Sequence, residues 1–314
     1  MEYYINVSGG LGYNLSLVRV LNFLKKKNPN YKFSVCSPYW DIFASASCVD
    51  TYYKAEEFRD FIFDAKDKNA KIIVNRIYDD EDFIYKRVNY SEAWIKLLSI
   101  KEALPKEDTE GNGTSLPLEL DNVFTSFPDV KNQVNKVLSD IKGKNFIFVQ
   151  FWGGQSPLAM QKSYSITTEP LRRAYPINLA QEFINLFKKA NPDIEIIQYS
   201  LPNEPKLEGC LSFEVPYIAY YLLSKESNCK GFVSIDSSLQ HLVSGNCKGT
   251  VIWAHTLPTS FGYTMNNNII QKCRRDDILY FTQLGVSGAK VDYIEPSKLA
   301  VIASSMVSTN ETKK

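Results

Sequence analysis

A short run of polar side chains in the last third of the chain has the types and spacing to hold a phosphate group. Asp236, Ser237 and Ser238 follow the apolar residues 231–235, and His241 stands one helical turn beyond Ser237. Backbone amides at the start of a helix have no partner within the helix, so with nearby hydroxyls they form a ready site for anionic oxygens. The run therefore predicts a diphosphate cradle, in which Asp236 can also cap the helix.

Other residues have the chemistry to bind the same diphosphate. Arg173 carries a planar guanidinium that can bind phosphate oxygens in a fork. Gly154 and Gln155 follow a strongly β-forming run and offer a tight backbone turn and a side-chain amide. His241 has two interpretations, which are contact with the bound phosphate group and packing of the helix against the sheet.

The acidic run at residues 79–82 contains an Asp-x-Asp triplet, which is a typical ligand pattern for a divalent cation. Four acids before an apolar run are also typical of a helix N-terminus, where negative charge is stabilised by the helix dipole. The helix interpretation is favoured, and no metal site is predicted.

Apolar runs of strand length alternate with segments of helical periodicity, which predicts parallel sheets of the α/β class joined by helical crossovers. Each half of the chain opens with a strand and a glycine turn, and Gly10 and Gly12 form the first of these turns. We expect two doubly wound domains, at residues 1–140 and 141–295, and a C-terminal helix and tail at 296–314. Residues 105–120 are rich in Gly, Pro and polar residues, which predicts a mobile loop or the approach to a linker.

Composition limits the classes of function. The 314 residues carry 36 basic and 35 acidic side chains, so no global field draws the chain toward nucleic acid or an anionic membrane. No apolar run approaches the ~20 residues that span a bilayer. The N-terminus reads as a strand rather than a signal peptide, which predicts a cytoplasmic protein. Its six scattered cysteines and two histidines predict free thiols and no zinc site.

The order of these motifs resembles the lipopolysaccharide heptosyltransferases of glycosyltransferase family 9. In that family an Asp-Ser/Thr-Gly-x-x-His-Leu turn, a glycine-started strand and a proline-containing loop bind the nucleotide sugar. A Lys-x-Trp-Pro motif supplies a lysine that contacts the donor phosphate. The similar positions here are residues 236–242, 249–253, 257–262 and 173–176.

The resemblance implies the GT-B architecture, two Rossmann-like doubly wound domains facing a central cleft. It implies that residues 141–295 bind a nucleotide-diphosphate sugar and that residues 1–140 bind the acceptor. The expected reaction is an inverting, metal-independent transfer of the sugar to an acceptor hydroxyl, with no cofactor besides the donor. A surface glycan such as lipopolysaccharide or capsule is the expected acceptor, and peripheral contact with a membrane is compatible with it.

The general base departs from the family pattern. The family's proposed base is an aspartate directly after the first glycine loop, and Tyr13 stands at that position. A tyrosine has a reference pKa of about 10, so it is a poor base at neutral pH unless its pKa is strongly perturbed. Asp41, in the loop after the second strand, is the candidate substitute, although capping of the residues that follow it explains Asp41 equally well.

Two alternatives remain open from the sequence. The acceptor could be a hydroxylated base of DNA, with phosphate contacts from Arg19, Lys32 and the lysines at 25–27 and with stacking on the aromatic residues Tyr39, Trp40, Tyr52 and Tyr53. The missing aspartate also allows a non-catalytic protein that binds a nucleotide sugar.

Overall fold

The computed structural model describes residues 2–74, 77–85, 87–109, 113–153, 173–201, 204–254, 256–272 and 291–308. The chain divides into two compact units, Met1–Val130 and Lys131–Lys314. Each unit is built on its own parallel sheet, which confirms the predicted α/β class. The assignment of acceptor binding to the first domain and donor binding to the second stays a prediction.

The first unit contains a four-stranded sheet in the order β3-β2-β1-β4, and every neighbouring pair is parallel. The central strands are buried along most of their length, whereas the two edge strands are shorter and more exposed. The strands are β1 (Glu2–Asn6), β2 (Lys32–Ser37), β3 (Thr51–Lys54) and β4 (Lys71–Val74). Edge strand β3 was not predicted, because four residues with mixed burial carry little periodic signal.

Helix α1 (Leu11–Lys27) is the longest helix of this unit, and its apolar positions pack into the core. Three lysines occupy its last turn, where positive charge is stabilised by the helix dipole. The remaining helices are α2 (Trp40–Ala44), α3 (Phe58–Asp67), α4 (Glu81–Ile84), α5 (Tyr90–Leu98) and α6 (Val123–Ser126).

The described part of the segment at 105–120 is packed, contrary to the prediction of a mobile loop or linker. Its leucines at 116, 118 and 120 are buried. The buried Arg19 of α1 donates to the carbonyl of Leu116 at 2.5 Å, and Asn22 donates to the carbonyl of Glu119 at 3.1 Å. The polar composition of the segment did not indicate these contacts. In them, backbone carbonyls of the segment accept hydrogen bonds from side chains of α1, which is distant in the chain.

The second unit contains a five-stranded parallel sheet in the order β6-β5-β7-β8-β9. Its inner strands β5, β7 and β8 are buried along almost their whole length, as expected for a sheet with both faces covered. The strands are β5 (Phe146–Gln150), β6 (Glu195–Gln198), β7 (Cys229–Ile235), β8 (Gly249–Trp253) and β9 (Asn267–Ile270).

Helices cover this second sheet. A large core joins α8 and α12 to the inner strands, and Phe183, Phe187 and Leu299 are fully buried in it. The helices of the unit are α7 (Val130–Asp140), α8 (Ile177–Ala190), α9 (Tyr217–Leu223), α10 (Ser238–Val243), α11 (Pro258–Phe261) and α12 (Pro296–Ser308). Among the helices that the structure describes, none is long and apolar enough to cross a bilayer.

Candidate donor site at the switch point of the second sheet

The strand order places a crevice between the carboxyl ends of β5 and β7. From β5 the chain proceeds outward to β6 on one side, and from β7 it proceeds outward to β8 on the other. Such a reversal leaves room above the sheet, and open α/β sheets bind their ligands there. Residues 151–153 after β5 and residues 236–238 after β7 lie at this edge. The predicted cradle thus occupies the switch point.

Asp236 is buried at the end of β7 among three polar side chains. The Arg173 guanidinium lies 3.3 Å from its Oδ2, and Gln240 donates to its Oδ1 at 2.8 Å. Nε2 of His241 lies 4.0 Å from the same Oδ1. The structure therefore brings Arg173, Asp236 and His241 together as predicted, and Gln240 joins them.

The imidazole of His241 has a polar neighbour at each of its two nitrogens, Tyr263 at Nδ1 and Asp236 at Nε2. Its Nδ1 shares a hydrogen bond of 2.7 Å with the hydroxyl of Tyr263, whose ring packs edge-on against the imidazole. Both residues are buried. These contacts support the packing interpretation of His241, and direct contact of the imidazole with a ligand stays a prediction.

Ser237 and the first turn of α10 are bound to the end of β5. The Ser237 hydroxyl donates to Oε1 of Gln150, and the Leu239 amide donates to the same oxygen at 3.1 Å. Gln150 is buried as the last residue of β5. The Ser237 hydroxyl proton and one amide of the short helix are therefore already used within the protein, which leaves Arg173 as the stronger anion-binding group.

Gly153 permits the close approach of the two strand ends. Its φ of +155° lies in the region that favours glycine, and a Cβ there would stand 3.3 Å from the Gln150 amide nitrogen and 3.3 Å from the Ser237 Cβ. The predicted ligand residues Gly154 and Gln155, which follow it, lie outside the described residues.

Ser238 is connected to the end of the neighbouring strand β6. The Tyr199 hydroxyl forms a hydrogen bond with Ser238, and burial raises the pKa of Tyr199 to about 12. The buried Glu204 accepts a hydrogen bond from the Leu201 amide at 2.9 Å. Burial raises the pKa of Glu204 to about 7. This carboxyl therefore changes between its protonated and ionised forms near neutral pH.

In the first unit, Gly10 caps α1 and Gly12 lies in its first turn. The buried Asn14 donates to the carbonyl of Gly10 at 3.0 Å and accepts from the Ser37 hydroxyl at 2.7 Å. Because Ser37 ends β2, this side chain fixes the glycine loop to the carboxyl edge of the sheet. No motif or spacing in the chain singles out Asn14.

Tyr13 is buried in an aromatic cluster. Its ring centroid lies 4.9 Å from that of Tyr78 and 4.9 Å from that of Trp94. Burial and the neighbouring Tyr78 raise its pKa above the ordinary value for tyrosine. A higher pKa makes the phenol harder to ionise, so these contacts favour a packing role for Tyr13.

Asp41 lies in the first turn of α2 and is partly exposed. Its Oδ1 accepts from the Ile42 amide at 3.1 Å, which is the capping contact that the sequence allowed. Asp41 follows β2 at the carboxyl edge of the sheet, where α/β proteins bind their ligands.

The acidic run at 79–82 makes structural contacts. Asp80 caps α4 by accepting from the Phe83 amide, and Lys96 lies 2.6 Å from Asp80 and 2.9 Å from Asp82. Arg87 also pairs with Asp82. These partners agree with the helix interpretation of the run.

Four residues around the candidate site were not predicted from the sequence: Gln150, Tyr199, Glu204 and Tyr263. Gln150 and Tyr199 each carry a detectable signal, since a polar or amphipathic residue at the end of a buried strand points to the ligand edge of an α/β sheet. Glu204 and Tyr263 lie in loops, and only the folded chain shows that they are buried.

Two Rossmann-like units, each with a parallel sheet and a glycine turn after its first strand, define a GT-B fold. Known structures of glycosyltransferases share it over nearly the whole chain. The Escherichia coli ADP-heptose lipopolysaccharide heptosyltransferase II is 12% identical with a TM-score of 0.61, covering 99% of this chain and 100% of that one. A family 9 glycosyltransferase from Veillonella parvula is 9% identical with a TM-score of 0.63, covering 98% and 96%.

The E. coli heptosyltransferase WaaC, solved with ADP, is 13% identical with a TM-score of 0.57, covering 99% of this chain and 100% of that one. No protein-family model and no curated protein matches the sequence. At these identities the likeness is one of fold, and it confirms the GT-B architecture that the motif order predicted.

Proposed function

We propose that this protein is a glycosyltransferase that moves a sugar from a nucleotide-diphosphate sugar to an acceptor hydroxyl. The observation that carries the proposal is the partly exposed Arg173 beside Asp236, with Ser237 and Ser238, at the switch point of the second sheet. The known structures that share the fold of this chain include heptosyltransferases, one of them solved with ADP.

The departing diphosphate is the group that this site stabilises. Its negative charge grows as the bond to the sugar breaks, and a fixed guanidinium with hydroxyl donors stabilises that charge most in the transition state. Arg173 makes one contact of 3.3 Å with Asp236, within the part of the chain that the structure describes, and its other N–H groups remain for the phosphate. Arg173 thus takes the place that a metal ion occupies in metal-dependent transferases.

Transfer with inversion requires a base for the acceptor hydroxyl on the first unit. We assign this role to Asp41 rather than to Tyr13, because a carboxylate is ionised at neutral pH and the buried tyrosine is not. In one step the hydroxyl attacks the anomeric carbon, its proton passes to Asp41, and the diphosphate leaves with the bonding electrons.

The acceptor is proposed to be a surface glycan, bound near exposed aromatic residues of the first unit. Trp40 and Tyr52 stack with ring centroids 5.7 Å apart, and Tyr52 is 44% exposed. An exposed aromatic ring offers a stacking surface for a sugar ring, and Asp41 follows Trp40 directly in the chain. Peripheral contact with a membrane and a cytoplasmic location stay predictions.

The DNA-base alternative has less support than the sequence suggested. Lys25 and Lys32 both pair with Asp50, Lys26 pairs with Glu119, and Arg19 is buried. Tyr53 is also buried, with its hydroxyl on Asp64. Four of the five cations proposed for phosphate contact are therefore paired or buried, and the fifth, the exposed Lys27, lies over the Phe23 ring.

A thermal-shift screen over ADP-, UDP-, GDP- and CDP-sugars tests the proposed donor site. A bound donor stabilises the fold by mass action, so the correct nucleotide should raise the melting temperature and the others should not. No shift with any of them at saturating concentration would contradict the donor site. Slow hydrolysis of the stabilising sugar nucleotide without an acceptor separates an enzyme from a protein that only binds it.

A further inference from the structure

The described cysteines include two that are in contact at the amino-terminal edge of the second sheet. Cys229 begins β7, and Cys247 lies two residues before β8. These strands are parallel neighbours, with Phe232 opposite Gly249, so their amino-terminal ends lie side by side. The Cys247 thiol lies 4.0 Å from the Val243 carbonyl, and the neighbouring Cys229 thiol raises its pKa. This edge is the opposite end of the sheet from Asp236, which follows β7.

Both cysteines line one cavity, in which Cys247 is partly exposed and Cys229 is buried. Cys229 and Cys247 line an open cavity of about 450 Å³, whose other charged lining residues are Lys225, Glu226, Lys230 and Lys248. Neither thiol is in a disulfide, and Cys247 is partly exposed. A cavity of this size admits a peroxide or a small disulfide.

We propose that Cys229 and Cys247 are a modification site, a dithiol that a peroxide oxidises to an intramolecular disulfide. One thiolate attacks a peroxide oxygen and breaks the O–O bond, which gives a sulfenic acid and, after protonation, one water. The second thiol attacks that sulfur and displaces the oxygen as a second water. The two sulfurs lose two electrons and two protons in total, and the peroxide takes them up.

The surroundings determine how fast this dithiol reacts. The neighbouring Cys229 thiol and burial both raise the pKa of the Cys247 thiol, so little thiolate is present at neutral pH. The three lysines along the cavity act in the opposite direction, and Glu226 acts in the same direction as burial. Oxidation should therefore be slow at pH 7 and faster as the pH rises toward 9.

The disulfide would close a loop around most of the candidate donor site. Residues 229–247 contain Asp236, Ser237, Ser238 and His241, together with all of β7 and α10. A cross-link across this segment restricts the unfolded chain, so the oxidised protein should melt several degrees higher than the reduced one. This consequence does not depend on the proposed transferase activity.

The test uses the full chain, reduced, desalted and then treated with hydrogen peroxide in slight excess. The expected intact mass falls by two hydrogens, peptide mapping links Cys229 to Cys247, and dithiothreitol restores both the mass and the lower melting temperature. Cys247→Ser should abolish the mass change. Cys36→Ser is the matched control, since Cys36 is buried in the other unit and its loss should leave the link intact.

An unchanged mass of the wild-type protein after prolonged treatment at pH 9 would overturn the proposal. A mapped link between any other pair of cysteines, or oxygen addition to Cys247 with no link, would also overturn it. The peptide map of the wild-type protein decides the question even if the Cys247→Ser variant fails to fold.

Discussion

At the scale of single residues, the candidate donor site combines a buried carboxylate with one accessible cation. Asp236 is fixed by Gln240 and lies near His241, and both of these side chains are buried. Arg173, with a side chain that is 30% exposed, is the partner that can turn toward a ligand. We therefore expect Arg173 to be the main residue that binds the charged phosphate.

Replacing Arg173 tests this role. Arg173→Ala should raise the KM or Kd for the donor at least tenfold, because a charged hydrogen bond contributes about 1.5–3 kcal/mol. Arg173→Lys keeps the charge but loses the fork, so it should recover only part of the affinity. Lys298→Ala is the control, since Lys298 forms an exposed pair in the same unit. Equal donor affinities in the Arg173→Ala and control proteins would contradict the assignment.

The assignment of the base is tested by two substitutions. Asp41→Asn should lower kcat by about 10²-fold or more and leave donor affinity unchanged, because it removes only the proton acceptor. Tyr13→Phe should retain kcat, since the ring contacts with Tyr78 and Trp94 remain. Steady-state kinetics together with donor titration measure both quantities. Loss of kcat in Tyr13→Phe alone would assign the base to Tyr13.

Glu204 predicts a pH dependence of stability. Its pKa is near its usual 4.5 in the unfolded chain and about 7 in the fold. The stability that protonation provides is fully present below pH 4.5 and is lost as the pH rises through 7. The loss is on the order of 3 kcal/mol, since one pKa unit corresponds to about 1.4 kcal/mol.

Glu204→Gln should therefore be the more stable protein at pH 8 and equal to the wild type near pH 4.5. Urea unfolding at several pH values measures the difference, and Glu208→Gln, at an exposed position nearby, is the control. A difference between the wild type and Glu204→Gln that does not change with pH would show that Glu204 is ionised in the fold.

At the scale of elements, the position of the candidate donor site depends on how closely β7 and β8 pack together. Gly249 begins β8 opposite Phe232 of β7, and a Cβ at Gly249 would lie 2.0 Å from the Phe232 ring. The ring therefore lies directly over the glycine. Helix α10, which carries the polar run, connects these two strands, so their packing sets the position of the site.

Gly249→Ala should destabilise the second unit by more than about 2 kcal/mol, because an added methyl in a packed core forces its neighbours to shift. Gly10→Ala is the matched control, since a Cβ at Gly10 would have nothing within 4 Å. Melting temperatures of the two variants measure the contrast. A Gly249→Ala protein as stable as the Gly10→Ala protein would contradict the packing argument.

At the scale of the whole molecule, charge separates the glycan and DNA hypotheses for the acceptor. The formal net charge is +1, and the N-terminal lysines at 25, 26 and 32 are paired with acidic residues. A protein that neutralises several DNA phosphates binds with an affinity that falls steeply with salt. The pairing of these three lysines with carboxylates reduces the positive charge that they could present to DNA phosphates.

The protein should therefore pass through a DNA column at 50 mM salt with little retention. A DNA-binding protein of known salt dependence on the same column is the control. Strong retention that is lost between 50 and 200 mM salt would favour the hydroxylated-base acceptor over the surface glycan.

The sequence alone determined the parallel α/β class, the GT-B architecture and the polar turn after β7. The α/β class and the polar turn follow from periodicity and spacing among neighbouring residues, whereas the GT-B architecture was implied by the resemblance of the motif order to family 9. Arg173, Asp236 and His241 were also named from their motifs, and the fold brings them together.

Only the tertiary structure decided what surrounds these residues. Gln150 holds the turn of Ser237, Tyr199 contacts Ser238, and Glu204 is buried although it lies in a loop. Tyr13 proved to be packed among aromatic rings from α5 and the segment before α4. Such contacts join residues far apart in the chain, so burial, pKa and partner depend on the packing of distant elements and leave no local spacing to detect.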